Sequence, residues 1–196
     1  MRSQDWLKRK NKDIFFKMAK KEGYLSRASF KLIEIENKFR LISKSNNILE
    51  LGSAPGGWSQ VICEFNNKVI INAFDLLDMK YNNKQIKFYK EDVLKYDFSK
   101  LKKKFDLILS DIAPNTIGHK STDHLRLAGI VEEIFEIVKN NICLKGSFVF
   151  KIWQGSENKF IINNLKKNFS RITNFKPKSS RDQSREIYIV AENFNV

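Results

Sequence analysis

The sequence predicts an α/β fold in which a doubly wound sheet carries helices on both faces. Apolar runs of strand length alternate along the chain with segments of helical period, as such a sheet requires. A glycine-rich turn follows the first of these strands, as in nucleotide-binding folds of this class. With 196 residues, of which 42% are hydrophobic, the chain is long enough for one domain with a substantial core but too short for two domains of ordinary size. We expect a single domain over 1–196, in which 46–196 form the core and 1–45 a helical extension.

Seven strands and five helices follow from these patterns. The strands are expected near 47–52, 69–75, 86–90, 105–111, 146–153, 170–176 and 185–192. The helices are expected near 4–20, 26–38, 57–65, 122–141 and 156–168. Turn-forming pairs separate the elements, namely Asn46-Asn47, Asn66-Asn67, Asn82-Asn83 and Lys145-Gly146.

The first strand leads into the turn Gly52-Ser53-Ala54-Pro55-Gly56-Gly57-Trp58. Glycine is needed where the chain takes a positive φ or lies directly against a ligand. The helix that follows supplies free N–H groups and the positive end of its dipole. This strand, loop and helix predict a site for a small molecule with a nucleoside part.

S-adenosylmethionine (SAM) fits this site better than NAD. The dinucleotide fingerprint Gly-x-Gly-x-x-Gly is matched only imperfectly, because Ala54 takes the second glycine position and Pro55 lacks an N–H. Asp75 ends the second strand about 20 residues further on, where either cofactor would want a carboxylate for its ribose. Glu50, just before the turn, decides between them, since acidic groups attract the sulfonium and ammonium of SAM.

The charge of the chain points to a polyanionic partner. There are 36 Lys and Arg against 22 Asp and Glu, which gives a formal net charge of +14. Such a charge attracts nucleic acid over long range. The alternative is a solvated lysine-rich surface that reflects a coding bias towards Lys, Asn, Ile and Phe.

Neither a metal nor a membrane is expected. Cys63 and Cys143 lie far apart in apolar segments, which favours buried free thiols and an intracellular protein, in the cytoplasm or an organelle. His119 and His124 follow Asn115 in a polar stretch without a nearby cysteine, which favours a loop over a metal site. No apolar run reaches the roughly 20 residues of a membrane span.

Six segments, in chain order, resemble the motifs of one enzyme family. They are 23–35 with Ser26-Arg27-Ala28-Ser29-Phe30-Lys31, 55–60 with Pro55-Gly56-Gly57-Trp58-Ser59-Gln60, 74–79 with Phe74-Asp75, 109–115 with Asp111-Ile112-Ala113-Pro114-Asn115, 146–155 with Phe150-Lys151-Ile152-Trp153, and 184–191 with Ser184-Arg185-Glu186. Together they closely resemble the FtsJ (RrmJ) family of ribosomal RNA ribose 2′-O-methyltransferases, over nearly the whole chain. The resemblance implies a Rossmann-like SAM-dependent methyltransferase fold, with a seven-stranded, mostly parallel sheet whose last strand is antiparallel and inserted beside its neighbour.

Four polar residues on separate elements are the candidate catalytic residues. Asp111 ends the fourth strand, at the edge of the sheet where α/β proteins bind ligands. Lys151 follows a buried-looking strand segment, where a charge needs a partner or a task. The resemblance implies that Lys31, Asp111, Lys151 and Glu186 form the catalytic tetrad of the family.

The tetrad suits the methylation of a ribose hydroxyl, a poor nucleophile that must lose its proton during attack. We assign Lys151 as the general base and Asp111 as the residue that orients it close to the methyl donor. Lys31 and Glu186 are assigned to holding the ribose and the network of charges.

For the cofactor we expect contacts from the loop Gly52, Ser53, Ala54, Pro55, Gly56, Gly57 and Trp58, and from Asp75, Asp92 and Asp111. Asp75 is assigned to the ribose and Asp92, after the third strand, to the adenine amino group. The Trp58 ring has an alternative role as a core aromatic that packs the loop.

Basic residues gather in 8–21, around Arg27, in 38–40 and in 176–185, where they can contact phosphates without reading bases. We expect a monomer that binds ribosomal RNA, with residues 1–45 contributing to RNA binding. The target that the resemblance favours is a uridine of large-subunit rRNA, within the large subunit or its precursor. Three alternatives stay open: a tRNA anticodon-loop methyltransferase of the same family, an NAD-dependent oxidoreductase, and a catalytically inactive RNA-binding module.

Overall fold

Seven strands form one sheet at the centre of the described part of the protein. The structure is a computed structural model that describes residues 13–113, 120–155, 158–181 and 183–195, with the backbone alone at 120–125. The strands are β1 Asn47–Leu51, β2 Ile70–Phe74, β3 Ile86–Tyr89, β4 Phe105–Ser110, β5 Ile142–Trp153, β6 Phe169–Phe175 and β7 Glu186–Phe194. Their order is β3-β2-β1-β4-β5-β7-β6. Strands β1 to β5 are parallel, and β7 lies antiparallel between β5 and β6. The predicted fold class and the inserted antiparallel last strand are confirmed.

Within the described residues, five α-helices accompany the sheet: α1 Ile14–Glu22, α2 Ala28–Phe39, α3 Gly57–Phe65, α4 Lys120–Asn141 and α5 Asn158–Leu165. The first ends at Gly23, which has φ +80° and donates its N–H to Ala19. The predicted helix at 4–20 therefore ends too early, and its part before residue 13 lies outside the described residues. The second helix begins at Ala28 rather than at 26, and the fifth ends at Leu165 rather than at 168.

Each face of the sheet has its own hydrophobic core, because successive side chains of a strand point to opposite faces. Leu49 packs on the side of α4 and α5, in a cluster that includes Val131 and Ile161. Ile48 packs on the side of α2 and α3, in a cluster that includes Leu32 and Ile62. Helix α2 is thus part of the layer that covers the sheet.

The predicted break at Lys145-Gly146 is wrong, because β5 starts at Ile142, directly after α4, and continues through both residues. Lys145 has φ +63°, and the pairing of β4 with β5 shifts register between Phe105 and Leu107. Such an irregularity absorbs a residue with positive φ without ending the strand.

The remaining sequence expectations about cysteine and histidine are met only in part. Both cysteines are free thiols; Cys63 is buried, whereas Cys143 lies on β5 and is half-buried. The backbone of His124 belongs to α4 rather than to a loop, and His119 lies outside the described residues. Among the described helices, none has both the length and the apolar character needed to cross a bilayer.

Candidate active site

A cavity of about 540 Å³ opens along the carboxyl edge of the sheet. Residues that follow four successive strands line it: Gly52 after β1, Asp75 after β2, Asp92 after β3 and Asp111 after β4. Parallel strands end at the same edge, so four distant parts of the sequence meet there. The predicted cofactor residues Gly52, Ala54, Asp75, Asp92 and Asp111 all border this cavity.

The start of the loop packs closely against the residues that follow β4. Gly52 has φ +80°, and a Cβ added there would lie 2.9 Å from Ile112 Cγ1 and 3.0 Å from the Ile112 nitrogen. The Asp75 carboxylate accepts hydrogen bonds from the backbone N–H of Ala54 and of Leu77, each at 2.8 Å. Asp75 therefore fixes the loop, and its oxygens keep lone pairs for ribose hydroxyls.

The end of the loop faces helix α2 instead of the cavity. Ser29 Oγ donates to the Gly57 carbonyl oxygen, and Trp58 Nε1 donates to the Ala28 carbonyl oxygen, each at 2.9 Å. The Trp58 side chain is buried, and its ring centroid lies 5.7 Å from that of Tyr188. The structure thus gives the Trp58 ring the core position named above as its alternative role. The predicted cofactor residues that do not line the cavity are Ser53, Pro55, Gly56, Gly57 and Trp58.

Two of the tetrad residues, Lys151 and Asp111, form an ion pair beside the cavity. Lys151, on β5, donates from Nζ to Asp111 Oδ1 at 2.8 Å and to the Asp111 carbonyl oxygen at 2.5 Å. Only 10% of the Lys151 side chain and 19% of the Asp111 side chain are exposed, so water screens this pair little. Because Asp111 also lines the cavity, it connects the Lys151 amine to the ligand site.

The other two tetrad residues form a second ion pair, between Lys31 Nζ on α2 and Glu186 Oε1 at the start of β7. Both side chains are mostly buried, with 12% and 15% exposed. In the antiparallel pairing of β5 with β7, Lys151 lies opposite Tyr188, and Glu186 is two residues before Tyr188. Residues two apart in a strand share a face, so both ion pairs lie on the same side of the sheet. The structure therefore brings all four predicted tetrad residues together.

Comparison with known proteins decides the family. The model of the FtsJ-like methyltransferase family matches residues 24–194. The chain belongs to the FtsJ-like methyltransferase family.

Individual members of this family and of its wider fold class are similar over most of the chain. A Rickettsia bellii protein named ribosomal RNA large subunit methyltransferase E is 39% identical over 97% of this chain and 88% of its own length. A crystal structure from Plasmodium falciparum, assigned as a ribosomal RNA methyltransferase, superposes with a TM-score of 0.78 at 34% identity, covering 87% of this chain and 98% of the other. A class I SAM-dependent methyltransferase structure from Listeria monocytogenes, with a TM-score of 0.59 at 14% identity over 88% of this chain and 61% of the other, shares the fold.

Membership in the FtsJ-like family implies SAM as the methyl donor, and the residues at the cavity fit that molecule. Gly52, where a positive φ and the close approach of Ile112 exclude a side chain, presents bare backbone at the cavity wall, and the carboxylates of Asp75 and Asp92 can accept hydrogen bonds from a nucleoside. The oxidoreductase alternative is no longer tenable, because the family uses SAM rather than NAD. Within the described ranges, no group of three or more His, Cys, Asp or Glu side chains could hold a metal ion.

Glu50 lies beneath the loop, not on the cavity wall. Its carboxylate is fully buried and accepts a hydrogen bond from Ser59 Oγ, while Oε1 has no partner among the described residues. Burial raises the pKa of Glu50 to about 8; the Ser59 hydrogen bond opposes this rise, and the negative charges of Asp111 and Asp75 add to it. Glu50 therefore neither contacts the cavity nor offers much negative charge at neutral pH, so the sequence-based expectation that it attracts the cationic groups of SAM is wrong for the free protein.

Tyr188 is a site residue that the sequence analysis did not identify. Its hydroxyl donates to Asp111 Oδ1 at 2.9 Å, and Lys31 Nζ lies 5.9 Å from its ring centroid. Tyr188 is fully buried, and burial, followed by the charges of Asp111 and Glu186, raises its pKa well above the ordinary value. The hydroxyl therefore stays protonated and acts as a fixed donor between the two ion pairs. The available signal was its position, two residues after Glu186 and so on the same face of the last strand.

Proposed function

We propose that this protein is a SAM-dependent ribose 2′-O-methyltransferase whose substrate is a uridine of large-subunit ribosomal RNA. The observation that carries the proposal is the Lys151 amine, which Asp111 holds beside the cofactor cavity. The names of relatives such as the Rickettsia bellii protein support ribosomal RNA as the substrate class. The net charge of +14 supports a polyanionic substrate.

The cofactor is assigned to the large cavity, where it supplies an electrophilic methyl group. Asp75 and Asp92 would hold its nucleoside, and Gly52 and Ala54 would lie against it. Asp111, which also lines the cavity, would hold Lys151 close to the methyl group that the cofactor supplies. Each cofactor residue that the sequence predicted and that lines the cavity therefore has a proposed role.

Lys151 is assigned as the base that takes the proton of the 2′-hydroxyl. A neutral amine has two hydrogens and one lone pair. Both hydrogens can be donated to Asp111, one to the carboxylate and one to the carbonyl oxygen, which leaves the lone pair to face the substrate. Nζ would take the proton of the 2′-hydroxyl as that oxygen attacks the electrophilic methyl group that the bound cofactor would supply. Lys31 and Glu186 are assigned to holding the ribose.

We further infer an intracellular enzyme that acts as a monomer, on rRNA within the large subunit or its precursor. One chain contains both the cavity and all four tetrad residues, so no second copy is needed to complete the site. The intact tetrad argues against an inactive RNA-binding module.

The test of this proposal replaces the base. Lys151→Arg and Lys151→Ala should both lower kcat at least about a thousandfold, because a guanidinium keeps its charge but cannot take the proton and alanine has no base at all. Their SAM affinity should stay within about threefold of the wild type, since a general base acts in the transition state. The measurement is transfer of labelled methyl groups to large ribosomal subunits from a strain that lacks the enzyme, with calorimetry for SAM.

Asp111→Ala is the comparison variant, and it should lower both methyl transfer and SAM affinity, because Asp111 lies on the cavity wall. If Lys151→Arg retained substantial turnover, the base assignment would be wrong, and the tetrad would act by position and charge alone. Wild-type activity on tRNA instead of rRNA would move the substrate to the other branch of the family.

A further inference from the structure

A second, smaller cavity lies beside the tetrad. It measures about 160 Å³ and is lined by Arg27, Lys31, Arg181, Ser184 and Glu186. It shares no lining residue with the cofactor cavity, yet two of its residues, Lys31 and Glu186, belong to the tetrad. A group that enters this cavity therefore contacts the residues proposed to hold the target ribose, from a side that the cofactor does not use.

The arginines of the small cavity are held in place by the buried Asp13 carboxylate and by backbone contacts. The guanidinium of Arg27 donates to Asp13 Oδ2 and to the Ser179 carbonyl oxygen. Arg181 Nε donates to the same Asp13 oxygen at 3.1 Å, and the Asp13 side chain is only 6% exposed. Glu34 accepts from the backbone N–H of Lys178 at 2.6 Å and of Ser179 at 2.8 Å, which ties the segment before Arg181 to α2. The two guanidinium groups are thus arranged before any ligand binds.

The cavity has cationic donors in excess. Three cations line it, against the carboxylate of Glu186 in its wall and that of Asp13 behind the two arginines. The Arg181 side chain is 53% exposed, and among the described residues its guanidinium donates only from Nε, so its terminal N–H groups remain for a ligand. Burial lowers the pKa of Arg27, Asp13 opposes this, and the positive charge of Arg181 lowers it further. An anion between the two arginines would relieve this repulsion.

We propose that the small cavity binds the phosphodiester group adjacent to the target ribose, and so sets which ribose of the strand faces Lys151. The inference rests on the proposed function and goes beyond it by giving the RNA backbone a defined site. The fork of donors on a guanidinium matches the two non-bridging oxygens of a phosphodiester, and the Ser184 hydroxyl is a further donor. A phosphate there would place the neighbouring ribose against Lys31 and Glu186.

The test is Arg181→Gln, which removes the exposed guanidinium but leaves Arg27 and Asp13 paired. We expect KM for large subunits from the enzyme-deficient strain to rise roughly tenfold, with kcat within about threefold of the wild type. The slope of log affinity for rRNA against log salt concentration should become shallower by about one unit, the amount expected for the loss of one phosphate contact. SAM affinity should not change. Arg181→Lys, which keeps the charge but loses the fork, should recover part of the affinity and most of the salt slope.

Arg171→Gln is the matched control, because it removes an arginine that is 66% exposed and pairs with Glu192, away from the start of β7 where Glu186 lies. The proposal would be overturned if Arg181→Gln behaved like Arg171→Gln in KM and in salt slope. It would also be overturned if Arg181→Gln lowered kcat or thermal stability while KM and salt slope stayed at the wild-type values, because Arg181 would then have only a structural role. Failure of the proposed function gives a different result, in which the wild type itself transfers no methyl groups to rRNA.

Discussion

Among single residues, Glu50 shows how burial controls charge at this site. The carboxyl group follows Leu49 in the sequence, and its side chain is enclosed under the glycine-rich loop with Ser59 as its donor. With a folded-state pKa of about 8, it remains largely protonated at neutral pH in the free protein. In the unfolded chain a glutamate has a pKa of about 4.3 and is ionised at the same pH. The folded state therefore binds more protons between these two pKa values.

This difference gives a pH-dependent prediction for Glu50→Gln. The free energy of unfolding rises with pH where the unfolded state binds more protons than the folded state, and falls with pH where it binds fewer. Here the unfolded state binds fewer protons, so the slope is negative. Glu50 should therefore lower wild-type stability progressively from about pH 5 to about pH 8. Glutamine is neutral and similar in shape, so the variant should gain stability relative to the wild type over the same range. Urea unfolding at several pH values, without SAM, measures this.

Glu133→Gln removes an exposed carboxylate from α4 and is the matched control for Glu50→Gln. The burial argument fails if the stability difference between wild type and Glu50→Gln is the same at pH 5 and pH 8, or changes in parallel with that of the control.

The clustering of Lys31, Asp111, Lys151 and Glu186 was predictable from sequence, because they stand at strand ends or in motifs that resemble a known family. Tyr188 was not, since a tyrosine within an apolar strand looks like any core residue until the register places its hydroxyl against Asp111. The burial of Glu50 was equally invisible, because it depends on how α3 covers the end of β1.

Among the elements, the loop between β1 and α3 depends on glycine for its shape. Gly56 has φ +112°, and a Cβ there would lie 2.6 Å from Tyr81 Cβ. That neighbour is attached directly to the backbone and cannot swing away. Gly56→Ala should therefore destabilise the protein by about 1–3 kcal/mol, and it should weaken SAM binding by displacing the loop. Urea unfolding and calorimetry measure the two effects.

Gly129→Ala is the control for this change. Gly129 lies in α4 without a positive φ, and a Cβ added there would meet no neighbouring atom within 4 Å. Alanine in a helix interior is favoured over glycine, so this variant should be more stable by about 0.5–1 kcal/mol. Equal stability of the two alanine variants would contradict the strain assigned to the loop.

Strand positions were predicted well because apolar runs of strand length are a local signal, whereas the ends of elements were not. The pair Lys145-Gly146 looks like a turn, yet β5 passes through it since β4 pairs on both sides of the irregularity. Gly146 is small for another reason, because a Cβ there would lie 2.6 Å from Ile142 Cγ1. Such a packing requirement has no local signature that separates it from a turn.

At the level of the whole molecule, the net charge of +14 has two interpretations that make different predictions. If the excess lysine reflects only coding bias, the charges are scattered and few of them meet phosphates. If they form an RNA-binding surface around the tetrad, many phosphates are neutralised together, and each one releases counterions. The presence of Arg27, Lys31 and Arg181 in one cavity supports the second interpretation.

The salt dependence of RNA binding separates these interpretations. With roughly six phosphates neutralised, rRNA affinity should fall at least about a hundredfold between about 50 and 200 mM salt. SAM has no phosphate and is assigned to a separate cavity, so its affinity in the same buffers should change little and serves as the control. Fluorescence anisotropy with a labelled rRNA fragment gives the slope. A flat titration would mean that the charge of this chain is compositional, and that shape and the tetrad alone select the RNA.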